Sequence, residues 1–178
     1  QDLVFDYEKM GYLATRHLLS LGHRKIGIIC DAMHSSTVKS RYNGYLRALA
    51  EAGILLDENL VYTNDPVISP FRNMMKLGAD GMNTLWTQVP EITAVFAIDD
   101  KIANGAMAWL HANHIAIPER ISVVGISDYP ASEYLYPPLT TVHIPYKVIG
   151  YEAARQVHRL CRRMDVYLKD EVLKDLSS

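Results

Sequence analysis

The chain has 178 residues, 49% of them hydrophobic and 21% charged, a globular composition at single-domain length that excludes disordered and fibrous classes and leaves little room for a second full domain. Its 18 basic and 20 acidic side chains give a net charge of −2, which supplies no overall attraction for phosphate and makes these residues a poor candidate for binding nucleic acid by themselves. Residues Gln1–Asp6 carry no basic stretch leading into an apolar one, and no run of 18 apolar residues follows, so export and membrane insertion are not expected.

The first predicted element is a helix over residues 7–21, with Met10, Leu13, Ala14, Leu18 and Leu21 at helical spacing, Asp6 as N-cap and Gly22 just past the end. Ile26-Gly27-Ile28-Ile29-Cys30 then reads as a buried parallel strand, because its apolar run is too continuous for a half-exposed one. Residues 31–37 are polar and loop-like, and Val38, Tyr42, Tyr45, Leu46, Leu49 and Ala50 predict a second helix up to Gly53. A short strand is expected at 60–62. A third helical segment opens at Ser69-Pro70 and runs through Met74, Met75 and Leu77, weakened by Gly78 and Gly81 before Leu85-Trp86. Strand 94–98 ends at Asp99-Asp100, and the stripe Ile102, Ala103, Ala106, Met107 and Leu110 makes the next helix. After Pro118 comes a strand at 121–125; residues 136–142 form a turn into a short strand, 146–162 a last helix, and the tail near Glu171-Val172-Leu173 is too short to place. The β-α alternation with continuous apolar strands implies an α/β fold, a doubly wound parallel sheet covered by helices on both faces, whose ligands gather at the carboxyl ends of the strands.

Several segments resemble the effector-binding half of bacterial regulators of the lactose-repressor/galactose-repressor family. They are Leu18-Leu19-Ser20-Leu21-Gly22-His23-Arg24-Lys25-Ile26; Arg41-Tyr42-Asn43-Gly44-Tyr45; Ala94 through Ala106 around Asp99-Asp100; Pro118-Glu119-Arg120-Ile121-Ser122-Val123-Val124-Gly125; and Pro137-Pro138-Leu139-Thr140-Thr141-Val142. Each is weak alone; their order and spacing across residues 4–164 are specific. The resemblance implies a periplasmic-binding-protein-like, Rossmann-like subdomain at residues 4–143, and a last helix and tail at 144–178 belonging to a second subdomain otherwise missing, as is the family's helix-turn-helix headpiece. It also implies chain crossings near Val4-Phe5, His143-Ile144 and after Met164, and an apolar face on the 146–164 helix that needs a partner.

The same resemblance nominates site residues. Arg41 occupies the family's effector-contacting position in Arg-x-x-Gly-[Tyr/Trp/Phe], where a guanidinium can bind two vicinal oxygens at once. Asp99 matches a ligand-contacting Asn-or-Asp, leaving Asp100 to cap the following helix. Ser127 stands where the family's Gly-[Phe/Tyr]-Asp-Asp places an aspartate, so a hydroxyl replaces a charge. Ser35 and Thr37 precede the second helix where relatives place ligand-facing polar groups, one of them alternatively a cap, and Asp65 sits where a loop residue enters the site, or simply forms a turn with Pro66.

No catalytic motif is present: there is no Gly-x-Ser-x-Gly elbow, P-loop or Gly-x-Gly-x-x-Gly. Cys30 and Cys161 form no Cys-x-x-Cys pair, which argues against a zinc site or disulfide framework and fits a reducing cytoplasm. His111 and His114, spaced i, i+3, have no third ligand nearby, so neither metal nor cofactor is expected. Tyr42, Tyr45 and Tyr62 read as core and amphipathic surface rather than a stacking platform. The implied function is the effector-binding and dimerising region of a cytoplasmic, non-enzymatic transcriptional regulator that senses a small sugar-like effector. Operator DNA would be contacted only through the missing headpiece. The alternative is the sugar-binding receptor of an uptake system with the same fold.

Overall fold

The computed structural model describes residues 5–33, 35–63 and 73–175, with side chains in the last helix up to Arg162. Two compact units emerge, one of residues Asp6–Ile144 and one that joins Phe5 with the residues from Pro145 onward. The first unit contains β1 (Ile26–Cys30), β2 (Val61–Thr63), β3 (Ala94–Ala97), β4 (Ser122–Ser127) and β5 (Thr140–His143), with helices α1 (Tyr7–Ser20), α2 (Ser36–Glu51), α3 (Met74–Gln88) and α4 (Asp100–Ala112). The strands form one sheet in the order β2-β1-β3-β4-β5, every neighbouring pair parallel. The doubly wound sheet is thus the one the apolar runs predict.

The order fixes where a ligand can sit. From β1 the chain moves outward to β2, and from β2 it returns past β1 to β3. With right-handed crossovers this reversal puts α2 and α3 on opposite faces and opens a crevice between the carboxyl ends of β1 and β3. Helices α1 and α2 pack together on one face, α3 and α4 on the other. Strands β1 and β3 are buried throughout because both of their faces are covered.

Both helix pairs meet through glycines. A Cβ at Gly11 would overlap the carbonyl of Arg41, and one at Gly44 the carbonyl of Glu8, so α1 and α2 touch backbone to backbone at the turn that carries Arg41. Gly78 and Gly105 do the same for α3 and α4, facing the carbonyls of Ile102 and Met75. Gly78 and Gly81, read in sequence as weakening this segment, are both buried in a continuous helix; the cost of lost propensity is offset by the close approach.

Other boundaries differ from expectation. Helix α2 starts at Ser36, two residues earlier than its apolar stripe indicates. Ser69-Pro70, expected to open α3, lies outside the described residues, and α3 begins at Met74 capped by Asn73. Strand β4 runs on to Ser127 instead of stopping at Gly125. Residues Pro130–Tyr134, which carry no strong period, form a 3-10 turn. His114 lies beyond the end of α4 with φ of 57°, so it does not share a helix face with His111. The second unit is α5 (Tyr146–Asp175), on which Val148, Tyr151, Val157 and Leu160 are each more than half exposed.

Candidate functional site

Four strand ends and one helix converge on the carboxyl edge. Past β1, the carboxylate of Asp31 accepts a hydrogen bond from the amide of Ala32 at 2.7 Å and shapes the turn into α2. Arg41, one and a half turns into α2, is only 8% exposed and donates from Nη1 to the carbonyl of Ile98 at 2.8 Å, next to the turn that ends β3. Its guanidinium also lies 5.5 Å from the centre of the Tyr7 ring, within range of a cation–π contact.

Asp99 has extended φ and ψ of −151° and 150° and caps α4, its Oδ1 accepting from the amide of Lys101 at 2.9 Å. Its other oxygen, Oδ2, accepts from the hydroxyl of Ser127 at 3.3 Å. Arg41, Asp99 and Ser127 are therefore brought together at one edge. The expectation that Asp100 caps α4 is corrected: Asp99 is the cap. Asp100 is fully buried and accepts from the amide of Tyr129 at 3.1 Å, the hydroxyl of Ser132 at 3.1 Å and the hydroxyl of Thr141 at 2.6 Å. Adjacent aspartates at a helix start are both competent caps, and only the chain direction leaving β3 decides which turns inward.

Ser35 takes the N-cap position of α2 without a side-chain capping bond, and Ser35 and Thr37 are both half-buried at the helix end that follows β1. Asp65 lies outside the described residues. Two groups at this edge were not anticipated from sequence. His143, at the end of β5, holds the carboxylate of Asp128 with Nδ1 and Oδ2 2.6 Å apart. Tyr129 faces the ammonium of Lys101 at 5.5 Å. The signal for His143 was its place two residues beyond Thr141, which puts both on one side of a short strand.

Burial pushes the Cys30 thiol up to about 12, so the cysteine ending β1 is inert packing rather than a nucleophile. Tyr45 is also core, its hydroxyl donating to the carbonyl of Ile26 at 2.9 Å and raised above its ordinary value mainly by burial. Among the described residues no three His, Cys, Asp or Glu side chains gather as metal ligands, and no helix is long and apolar enough to cross a membrane. Chemically the edge offers a cation, a carboxylate with free lone pairs and a hydroxyl whose proton is directed at that carboxylate, an arrangement suited to binding a polar molecule that both donates and accepts hydrogen bonds.

A ligand crevice of this kind defines a doubly wound α/β binding domain. The profile of the periplasmic binding protein-like domain family matches residues 15–172. The chain belongs to this family, as an effector-binding region of the lactose-repressor/galactose-repressor kind. It is 37% identical over 143 residues to the HTH-type transcriptional repressor PurR of Haemophilus influenzae, covering 80% of this chain and 40% of that protein. Against the HTH-type transcriptional regulator GalR of Escherichia coli it is 38% identical over 152 residues, 85% of this chain and 42% of the other. A sugar-binding transcriptional regulator of the LacI family from Escherichia coli, solved in complex with phosphate, superposes with a TM-score of 0.71 at 33% identity, over 79% of this chain and 48% of its own. The chain spans about two fifths of the length of the curated relatives it matches.

Proposed function

We propose that this chain forms one lobe of the effector site of a transcriptional regulator, taking a sugar or sugar derivative at the carboxyl edge of β1, β3 and β4. The observation that carries the reading is the meeting of Arg41, Asp99 and Ser127 at the crevice where the strand order reverses. Arg41 donates to ligand oxygens, Asp99 accepts from ligand hydroxyls, and Ser35 and Thr37 line the approach from α2; the family resemblance adds Asp65 as a further ligand residue. Residues 4–143 make this lobe, and residues 144–178 belong to a second one. Closure of the lobes on the effector changes the operator affinity of a headpiece outside residues 1–178, in a cytoplasmic protein without catalytic activity. Its relatives' being named transcriptional regulators favours this over an uptake receptor.

The regulator acts as a homodimer. Support comes from a groove of about 460 Å³ on the first unit, lined by Met75, Asn104, Met107 and His111 and edged by the exposed rings of Tyr134 and Tyr136.

The test is thermal melting and calorimetric titration of the full-length protein with galactose, glucose, cellobiose and glucose 6-phosphate. At least one sugar should raise Tm and bind saturably, and should also change affinity for the DNA upstream of its own gene. No shift with any of the four would overturn the sugar reading.

A further inference from the structure

Ser127 and Asp128 are consecutive residues with positive φ, 142° and 56°. Neither is glycine, and side-chain-bearing residues hold such backbone only where their surroundings over-determine it. The restraint comes from β5. The amide of Asp128 donates to Thr141 Oγ1 at 3.2 Å, and the Thr141 hydroxyl passes its own proton on to Asp100 Oδ1 at 2.6 Å. Asp100 is buried with its second oxygen engaged by Tyr129 and Ser132, and the missing side chain of Gly125 leaves space for its first. Two residues along β5, His143 holds the Asp128 carboxylate. The Thr141 hydroxyl thus accepts from the Asp128 amide and donates to the Asp100 carboxylate through one oxygen, which a hydroxyl can do and a methyl group cannot.

We propose that Thr141 is a positioning residue of the effector site: its hydroxyl connects the buried Asp100 carboxylate to the Asp128 amide and locks the 127–128 turn, holding the Ser127 hydroxyl toward Asp99. The proposal rests on the functional reading above for its consequence, but the lock itself exists without ligand. A purely structural threonine would behave differently. Valine has the same shape and at least equal strand propensity, so if Thr141 merely built the edge strand, Thr141→Val would leave the turn as it is.

The experiment is hydrogen–deuterium exchange read by mass spectrometry on the ligand-free, full-length protein, comparing wild type, Thr141→Val and Thr141→Ser. Exchange in the peptide covering residues 126–132 should rise about tenfold or more in Thr141→Val, with peptides from β1 and β3 unchanged, and return to within about twofold of wild type in Thr141→Ser. Should the valine variant fail to fold, Thr141→Ala removes the hydroxyl without adding a methyl group. Unchanged exchange at 126–132 without the hydroxyl, or a serine variant as loose as the valine one, overturns the proposal. Calorimetry with the same four sugars then separates the two readings: no binding by wild type refutes the sugar site, while binding that Thr141→Val leaves unaltered refutes the positioning role.

Discussion

Arg41 contributes to the fold as well as to any ligand. Its Nη1 bond to the Ile98 carbonyl fastens α2 to the end of β3, so truncation leaves a buried acceptor without its donor. Arg41→Ala should lower unfolding free energy by about 1–3 kcal/mol in urea denaturation, and weaken sugar binding about tenfold or more through loss of a charge-assisted bond. Retained wild-type stability in Arg41→Ala would show that the Ile98 contact contributes nothing. A second residue contributes a dependence of stability on pH. His23 lies between two hydroxyls, Nδ1 to Thr93 and Nε2 to Ser122, each at 3.1 Å. Burial, and then the neighbouring His17, hold its pKa below the usual 6.5. The unfolded chain therefore binds a proton that the folded one resists. Stability from this site is present above about pH 6.5 and is lost as pH falls from there through the lower folded value. The urea midpoint should drop between pH 7.5 and pH 5, and drop less in His23→Gln; equal drops would exclude His23 as the cause. At this scale the sequence reading located Arg41, Asp99 and Ser127 through segments that resemble a family. It could not see that Ser127 ends its strand with a positive φ, because that conformation is set by a hydrogen-bond relay from β5 and not by local propensity.

Between elements, the glycines decide geometry. Gly105 sits inside α4, where helix propensity alone favours alanine by roughly 1 kcal/mol. A Cβ there would overlap the backbone carbonyl of Met75 on α3, and backbone cannot step aside as a side-chain tip can. Packing outweighs propensity, so Gly105→Ala should destabilise by about 1–3 kcal/mol, measured by chemical denaturation. A neutral or stabilising result would mean that α3 and α4 can separate at no cost. The strands and the starts of α1 and α5 were legible because apolar continuity, helical period and the Asp6 cap are local signals. The 3-10 turn at Pro130–Tyr134 was not, since its order comes from Asp100, some thirty residues earlier in the chain, bonding Tyr129 and Ser132. Gly78 and Gly81 were legible as glycines and misread as weakness, because only the neighbours, helix α4 for Gly78 and the Ile29 and Tyr62 side chains of the sheet for Gly81, reveal why a side chain is excluded.

For the molecule as a whole, the surfaces left uncovered decide which partners it can take. A net charge of −2 provides no field for DNA, and the apolar side chains that remain in water are unevenly placed. Tyr134 and Tyr136 are 85% and 89% exposed, and Met75 is half exposed beside them. The groove they edge also contains Asn104, whose buried Oδ1 has no hydrogen-bond partner among the described residues. A two-fold interface uses the same patch on both subunits and needs protruding groups and a recess within it. This patch has both, two tyrosine rings on one loop and a groove between α3 and α4, and tyrosine suits a surface that is apolar on its face and wet at its hydroxyl. Self-association should therefore be read directly by sedimentation velocity of the full-length protein at micromolar concentration. The wild type is expected as a dimer, and Tyr134→Glu with Tyr136→Glu should weaken it at least tenfold by burying unpaired charge at the centre of the contact. Tyr151→Glu with Leu160→Glu on α5 serves as the comparison, because that helix also exposes apolar side chains. A monomeric wild type would refute the dimer, and a dimer broken by the α5 pair but indifferent to the tyrosine pair would move the interface away from the groove.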